Sequence, residues 1–148
     1  MKILITGANG LLGQKLVELI INGGDHELVA TARGANRLPF DQNKYTYETL
    51  DITDQPQVNA VISKHKPEVV IHTAAMTNVD QCETEREGCW DLNVNAVQYI
   101  VAACEATNAF LLHLSTDFIF DGEAGPYDEE AVANPISYYG DSKLAAEH

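Results

Sequence analysis

Short apolar runs alternate with stretches of helical periodicity along this chain. That alternation predicts a parallel sheet covered by helices on both faces. Residues 2–6 open the series as a short buried strand. Residues 13–22 read as a helix with Leu12, Leu16, Leu19 and Ile20 on one face, stopped by Gly23-Gly24. Residues 27–32 form a second strand, 36–43 a polar loop, and 45–50 a third strand by alternation. Thr53 or Asp54 can cap a helix over 57–65 that ends before Pro67. Residues 69–73 are a buried strand. Residues 83–108 are one long helix with Leu92, Ala96, Tyr99, Ile100 and Ala103 on a stripe, and 110–114 are a fifth strand. Residues 123–135 are an acidic loop with two prolines, and a helix starts near Ser137. Five strands and about four helices make an α/β fold with one doubly wound parallel sheet. No repeat or low-complexity linker divides it.

Composition narrows the partners. With 148 residues the expectation is one domain. The net charge of −13, from 22 acids against 9 bases, argues against nucleic acid and against an anionic membrane surface. It does not exclude an anionic small molecule, because local charge at a site outranks the total. Cys82, Cys89 and Cys104 show neither a CxxC nor a metal-ligand spacing. An odd count with no visible targeting segment reads as reduced thiols in a cytoplasmic protein, and no metal-ligand set is read from the sequence.

The first candidate for chemistry is Gly7-Ala8-Asn9-Gly10-Leu11-Leu12-Gly13, directly after the first strand. Gly7 suits a tight turn out of the strand, Gly10 allows a pyrophosphate to approach the backbone, and Gly13 allows close packing of the helix on the sheet. The helix N-terminus then offers N–H groups and a partial positive charge to phosphates. The spacing is one residue longer in its first gap than the common Gly-x-Gly-x-x-Gly. The flanking strand and amphipathic helix give the motif the context it requires. Arg33 follows the second strand, where an acid would bind a ribose 2′-hydroxyl. A cation there pairs instead with a 2′-phosphate, favouring NADP(H) over NAD(H), unless Arg33 is a solvated loop residue. Arg37 is a weaker second cation. Asp51 and Ile52, ending the third strand, suit an adenine amine and ring face, or Asp51 belongs to a turn.

The second candidate is Tyr139-Gly140-Asp141-Ser142-Lys143, with Ser115-Thr116 upstream at the end of a strand. Tyr139 and Lys143 are one helical turn apart and share a face. A tyrosine titrates near ~10, and a neighbouring ammonium is expected to lower that and ease proton donation. Thr116 can bind a substrate oxygen. Tyr138 lies about 100° around the helix and lacks the lysine spacing. The pair taken alone could equally be two residues of a surface helix. The glycine loop and the strand-end Ser-Thr, in that order, favour the catalytic reading. His72 and His113 read as core histidines, Trp90 as packing, and Asp80, Glu83, Glu85 and Glu87 as an acidic helix start.

These segments resemble the extended short-chain dehydrogenase/reductase family, and within it the dTDP-4-dehydrorhamnose reductase branch, over essentially all 148 residues. The most specific pieces are residues 4–13, then His72-Thr73-Ala74-Ala75-Met76-Thr77-Asn78-Val79-Asp80-Gln81-Cys82-Glu83, then Val94-Asn95-Ala96. Leu114-Ser115-Thr116-Asp117-Phe118-Ile119-Phe120-Asp121-Gly122 and the Tyr-Lys pair follow. The resemblance implies an NAD(P)-binding Rossmann fold and NADPH-dependent reduction of a nucleotide-activated 4-keto-6-deoxysugar. It makes Thr116, Tyr139 and Lys143 a catalytic triad, with Tyr139 the proton donor and Lys143 tuning it and holding the nicotinamide ribose. Thr73, Ala74 and Ala75 would line the cofactor, and Thr77 and Val79 would lie near the sugar nucleotide. Asn95 would support the site at a helix irregularity, and a homodimer would be usual for the wider family. Phe118 departs from the family's usual tyrosine, which removes one polar contact.

Two other activities fit the same resemblance: a sugar-nucleotide epimerase or dehydratase, and a non-catalytic cofactor-binding subunit that regulates a partner. The helix that carries Lys143 reaches His148 with no cap or glycine stop, so the chain is expected to be part of a longer protein. A product of this length alone is expected to expose a sheet edge and to associate.

Overall fold

The uncharged run Ile3-Leu4-Ile5 becomes the centre of a five-stranded parallel sheet. The computed structural model describes all of residues 1–148. The chain comprises two compact units, residues 1–75 with 98–114, and residues 76–97 with 115–148.

The first unit holds the whole sheet: β1 (Lys2–Thr6), β2 (Glu27–Ala32), β3 (Thr46–Thr49), β4 (Val69–His72) and β5 (Phe110–His113). Its order is β3-β2-β1-β4-β5, with Leu4 level with Val29 on one side and Val70 on the other. The chain winds outward from β1 to β3, then returns to β1's other side. That reversal puts a switch point between β1 and β4, the doubly wound arrangement the alternation predicts. Leu4 and Ile5 are fully buried, as a central strand covered on both faces requires.

α1 (Leu11–Gly23) is rotated from its expected stripe. Gly13 and Val17 are buried and Leu16, Ile20 and Ile21 pack on the core, whereas Leu12 and Leu19 are exposed. A 3.6-residue period fits both stripes, and the close seat of Gly13 decides between them. The helix ends at Gly24, whose left-handed conformation returns its N–H to the Ile20 carbonyl. α2 (Gln55–His65) starts two residues earlier than expected, and Asp54 is its cap, accepting from the Gln57 N–H at 3.1 Å. The 36–43 loop carries one short 3₁₀ turn, Gln42–Lys44. His72 is a core residue, as expected: Nδ1 lies 2.6 Å from the Thr6 hydroxyl, and its ring stacks on His113 at 5.3 Å.

The long helix expected over 83–108 is not one helix. α3 (Val79–Thr84) and α4 (Arg86–Trp90) are separated by Glu85, whose backbone leaves the helical region at φ −115°, ψ 53°. A π-helical turn, Asp91–Asn95, then leads into α5 (Ala96–Thr107). A π turn admits an extra residue without disturbing the apolar stripe on either side, so periodicity alone reads through it. α6 (Tyr138–Glu147) is capped by Ser137, which accepts from the Gly140 N–H at 3.1 Å. Irregular chain fills 121–137 apart from turns. No helix is long and apolar enough to cross a membrane.

Candidate functional site

At the end of β1 the backbone turns at Gly7 with φ +73°, a conformation that favours glycine, and its carbonyl accepts from the Gly10 N–H at 2.9 Å. A Cβ at Gly7 would stand 2.8 Å from the Ala74 nitrogen and the Thr73 hydroxyl. The strand-end residues Thr73 and Ala74 therefore lie directly against the glycine turn, at the switch point, and Ala75 follows them. Thr73 is fixed by donating its hydroxyl to the Thr6 carbonyl at 2.7 Å. Gly13 is glycine for a different reason than expected. A Cβ there would fall 2.2 Å from the Gly7 carbonyl oxygen and 2.7 Å from Ala8 Cα, so what Gly13 itself packs on is the turn at Gly7-Ala8 rather than a strand of the sheet.

Gly10 is different again: a Cβ there would meet only the Gly7 carbonyl, at 3.2 Å. Gly10 is also the N-cap of α1, with no side-chain cap and no acid in the first turn, and it is followed by exposed Leu11 and Leu12. An open, uncapped helix N-terminus of three turns is a cradle for a phosphate group, and these residues fit a dinucleotide. Gly10→Ala is expected to keep the melting temperature within about 3 °C and to weaken NADP binding about tenfold or more. Calorimetric titration of the variant checks this, and unchanged affinity would refute it.

Asn9 does not face a ligand alone. Its Nδ2 donates to the Ala35 carbonyl at 3.0 Å and its Oδ1 accepts from the Arg37 N–H at 3.0 Å. Tyr47 and Thr49 donate to the Gly34 carbonyl at 2.9 and 3.1 Å. The loop bearing Arg33 and Arg37 is thus tied to the glycine turn and to β3, and both arginines are exposed. The Arg33 charge acts on Asp51. The Asp51 carboxyl is held below its ordinary value first by the Thr53 hydroxyl, which donates at 2.7 Å, with the Thr53 N–H and Arg33 adding to it. Asp51 is therefore a turn residue whose charge is partly committed. Ile52 is only 5 % exposed and offers little face to an adenine ring.

The second unit carries the residues expected to do acid–base work, Thr116, Tyr139 and Lys143. Thr116 caps the 3₁₀ turn Asp117–Ile119, accepting from the Phe118 N–H at 3.2 Å and donating to the Asp117 carboxylate at 3.3 Å, and its hydroxyl favours the ionised form of the Tyr139 phenol. Tyr139 and Lys143 lie on α6, one turn apart and both buried. The Phe118 ring meets Tyr139 edge-on at 5.7 Å. Contrary to the sequence expectation, Tyr139 titrates above its ordinary value: burial raises it, and the Thr116 hydroxyl offsets only part of this. Burial also lowers Lys143, with Glu147 opposing. Desolvation outweighs charge at both groups. Ser115 donates to the Glu147 carboxylate. Tyr138 packs against Trp90 at 6.1 Å and under Arg86 at 4.8 Å, a packing residue.

Beside these groups a cleft of about 640 Å³ is lined by Val79, Asp117, Phe118, Phe120, Tyr127 and Ile136 among others. Thr77 is exposed just before α3. No group of three His, Cys, Asp or Glu residues could hold a metal ion. The cysteines are buried free thiols; desolvation pushes Cys82 up to about 12 and Cys104 to about 11.

The RmlD substrate binding domain family matches residues 1–148, the full sequence. The chain belongs to that family. It is 39 % identical over 147 residues to the dTDP-4-dehydrorhamnose reductase of Aggregatibacter actinomycetemcomitans, covering 99 % of this chain and 45 % of that protein. It is 35 % identical over 144 residues to methionine adenosyltransferase 2 subunit beta of Xenopus tropicalis, covering 97 % of this chain and 41 % of that one. The structure of dTDP-4-dehydrorhamnose reductase from Bacillus anthracis in complex with NADP superimposes with a TM-score of 0.82 at 36 % identity, covering 99 % of this chain and 47 % of that one. The chain spans less than half the length of these relatives.

Three residues of this RmlD domain escaped the sequence reading. Asn93, on the π turn and 1 % exposed, accepts from the Met76 N–H at 2.8 Å. It donates to the Met76 carbonyl and the Ser142 hydroxyl, both at 3.0 Å. Ser142 in turn donates to the Tyr139 carbonyl at 2.8 Å. Asn95, the residue expected in a supporting role, bonds only locally, to Asp91 at 2.6 Å. Gly140 is the third: a Cβ there would fall 2.4 Å from the Phe118 carbonyl, so glycine lets α6 close on the Thr116 turn. The Asn-x-Asn spacing signals a polar helix interior, but which Asn turns inward depends on the π turn.

Proposed function

We propose that the protein bearing this chain reduces the C4 carbonyl of a nucleotide-activated 4-keto-6-deoxysugar with NADPH, forming dTDP-L-rhamnose or a related product. The observation that carries this reading is the pair of buried residues Tyr139 and Lys143, one turn apart on α6, with the Thr116 hydroxyl acting on the Tyr139 phenol, in a chain of this family. The reductase name and the NADP of its relatives support it. The nicotinamide supplies the hydride when bound. Tyr139 gives its phenolic proton to the oxygen that becomes the alkoxide, and Thr116 donates a hydrogen bond to the same oxygen. Lys143 holds positive charge near the phenol and a ribose hydroxyl. Gly7, Gly10 and the N-terminus of α1, with Leu11, Leu12 and Gly13, hold the pyrophosphate. Thr73, Ala74 and Ala75 line the cofactor. Arg33 and Arg37 pair with a 2′-phosphate, and Thr77 and Val79 border the sugar nucleotide.

The test is NADPH consumption by the full-length protein supplied with a dTDP-4-keto-6-deoxysugar. One NADPH oxidised per reduced sugar formed is the expected result. Product without net oxidation would point to an epimerase or dehydratase instead.

The likeness to methionine adenosyltransferase 2 subunit beta favours a second reading, a cofactor-binding subunit of another enzyme. NADP binding with no turnover of any keto-sugar nucleotide, and co-purification with a synthase, would support it over the first.

A further inference from the structure

The cleft in the second unit has an aromatic and aliphatic wall, two carboxylates, and neither lysine nor arginine in its lining. A diphosphate finds no counter-charge there and two like charges. An uncharged ring is the better occupant: its C–H faces pack on aromatic rings and its hydroxyls donate to Asp and Ser oxygens.

One wall of the cleft is built around Asp121. Its carboxylate accepts from the Tyr127 hydroxyl, from Asn134 Nδ2 at 2.9 Å and from the Glu123 N–H at 3.0 Å. Tyr127 also accepts from the Ala124 N–H at 3.0 Å, and its ring lies parallel to Phe120 at 4.5 Å. The Asn134 N–H donates to the Ile119 carbonyl at 2.8 Å. Phe120, Asp121 and Tyr127 all line the cleft. A segment of irregular chain, acidic and without a strand or helix of its own, is thus gathered around one carboxylate, whose donors come from residues 123, 127 and 134. Hydrogen bonds to an ionised acceptor are the stronger kind, and these donors hold the Asp121 carboxyl at about 2, mainly through Tyr127.

We propose that Asp121 and Tyr127 are positioning residues that hold the aromatic wall of this cleft against the uncharged sugar ring of the substrate. This rests on the reductase reading for the identity of the sugar nucleotide. The wall contributes to binding and not to proton transfer, so its loss acts on KM and leaves kcat nearly intact.

The test uses the full-length protein and three variants, Tyr127→Phe, Asp121→Asn and Asp121→Ala. Tyr127→Phe removes one hydroxyl and keeps the ring, so its fold is the least disturbed. Expected are melting temperatures within a few degrees of the parent for Tyr127→Phe, and KM for the keto-sugar nucleotide raised about tenfold. A larger rise is expected for Asp121→Ala, partial rescue for Asp121→Asn, and kcat within about threefold throughout. A second measurement needs no turnover: saturation-transfer NMR with dTDP-glucose as a non-reacting probe. The parent should saturate the hexose protons, and Tyr127→Phe should saturate them weakly. An active parent whose variants keep KM and hexose contact overturns the proposal and leaves the reductase reading standing. An inactive parent whose hexose contact is lost in Tyr127→Phe overturns the reductase reading and leaves the cleft assignment standing. A parent that neither turns over nor contacts the hexose overturns both.

Discussion

Tyr139→Phe in the full-length protein is expected to lower kcat about 10²–10⁴-fold, the usual weight of a positioned general acid. The substitution keeps the ring, its edge contact with Phe118 and its place against Cys82 and Cys89. It removes only the hydroxyl, with its proton and the influence of Thr116 on it. Affinity for NADP, measured by titration without substrate, should therefore change less than about threefold. Retained turnover would end the assignment of Tyr139 as the acid.

The pH profile sharpens the same prediction. An acid works while protonated, and burial raises the Tyr139 phenol above its ordinary value of 10.0. The acid form is then fully populated through neutral pH, and any alkaline fall in kcat due to Tyr139 is centred above the phenol's ordinary value. A fall centred near 8 in the parent that disappears in Tyr139→Phe would mean that Lys143 outweighs burial, as the sequence expectation has it.

How much of the fold and of the site is legible in the sequence depends on the kind of signal. The strands are legible to within a residue or two because a central parallel strand needs an unbroken apolar run, and Ile3-Leu4-Ile5 and Val69-Val70-Ile71 supply it. The doubly wound arrangement follows from the alternation of strands and helices. The glycine loop is legible by spacing, and the Tyr139–Lys143 pair by helical geometry. The face of α1 is not, because Leu12 and Leu19 compete with Gly13 and Val17 on hydrophobicity alone. The break at Glu85 and the π turn are not, because neither carries a glycine or proline to mark it. Charge balance is not either. The Tyr-x-x-x-Lys spacing suggests attraction between two groups, but the burial of Tyr139 comes from Cys82, Cys89 and Phe118, which lie more than a helix away in sequence. The cleft wall at Asp121 reads only as an acidic loop, because its hydrogen bonds join residues 121, 127 and 134 across a segment with no period.

Asn93→Ala is expected to destabilise the fold by about 3 kcal/mol, because the substitution orphans several partners at once in a closed site. The Met76 N–H loses its only side-chain acceptor, and the Met76 carbonyl and Ser142 hydroxyl each lose a donor at 3.0 Å. At this chain length that is a fall in melting temperature of about 6–12 °C. Asn93→Asp is nearly isosteric and keeps the acceptor for Met76. It surrenders both donors and places a carboxylate where the parent side chain is 1 % exposed, so it should cost at least as much near neutral pH. Below the pKa of that carboxyl the neutral acid regains one donor, and part of the loss should return on mild acidification. Asn95→Ala is the control, since Asn95 bonds only to Asp91 on its own turn, and it should shift the melting temperature by less than about 3 °C. Thermal melts of the three variants decide between the two asparagines. Equal shifts at 93 and 95 would mean that the π turn, rather than the bonds from Asn93 to Met76 and Ser142, holds the start of α6 in place. A large shift at 93 alone ties the Tyr139 backbone, through Ser142, to a residue buried beneath it. The kcat of Asn93→Ala should then fall even at temperatures where the variant is fully folded.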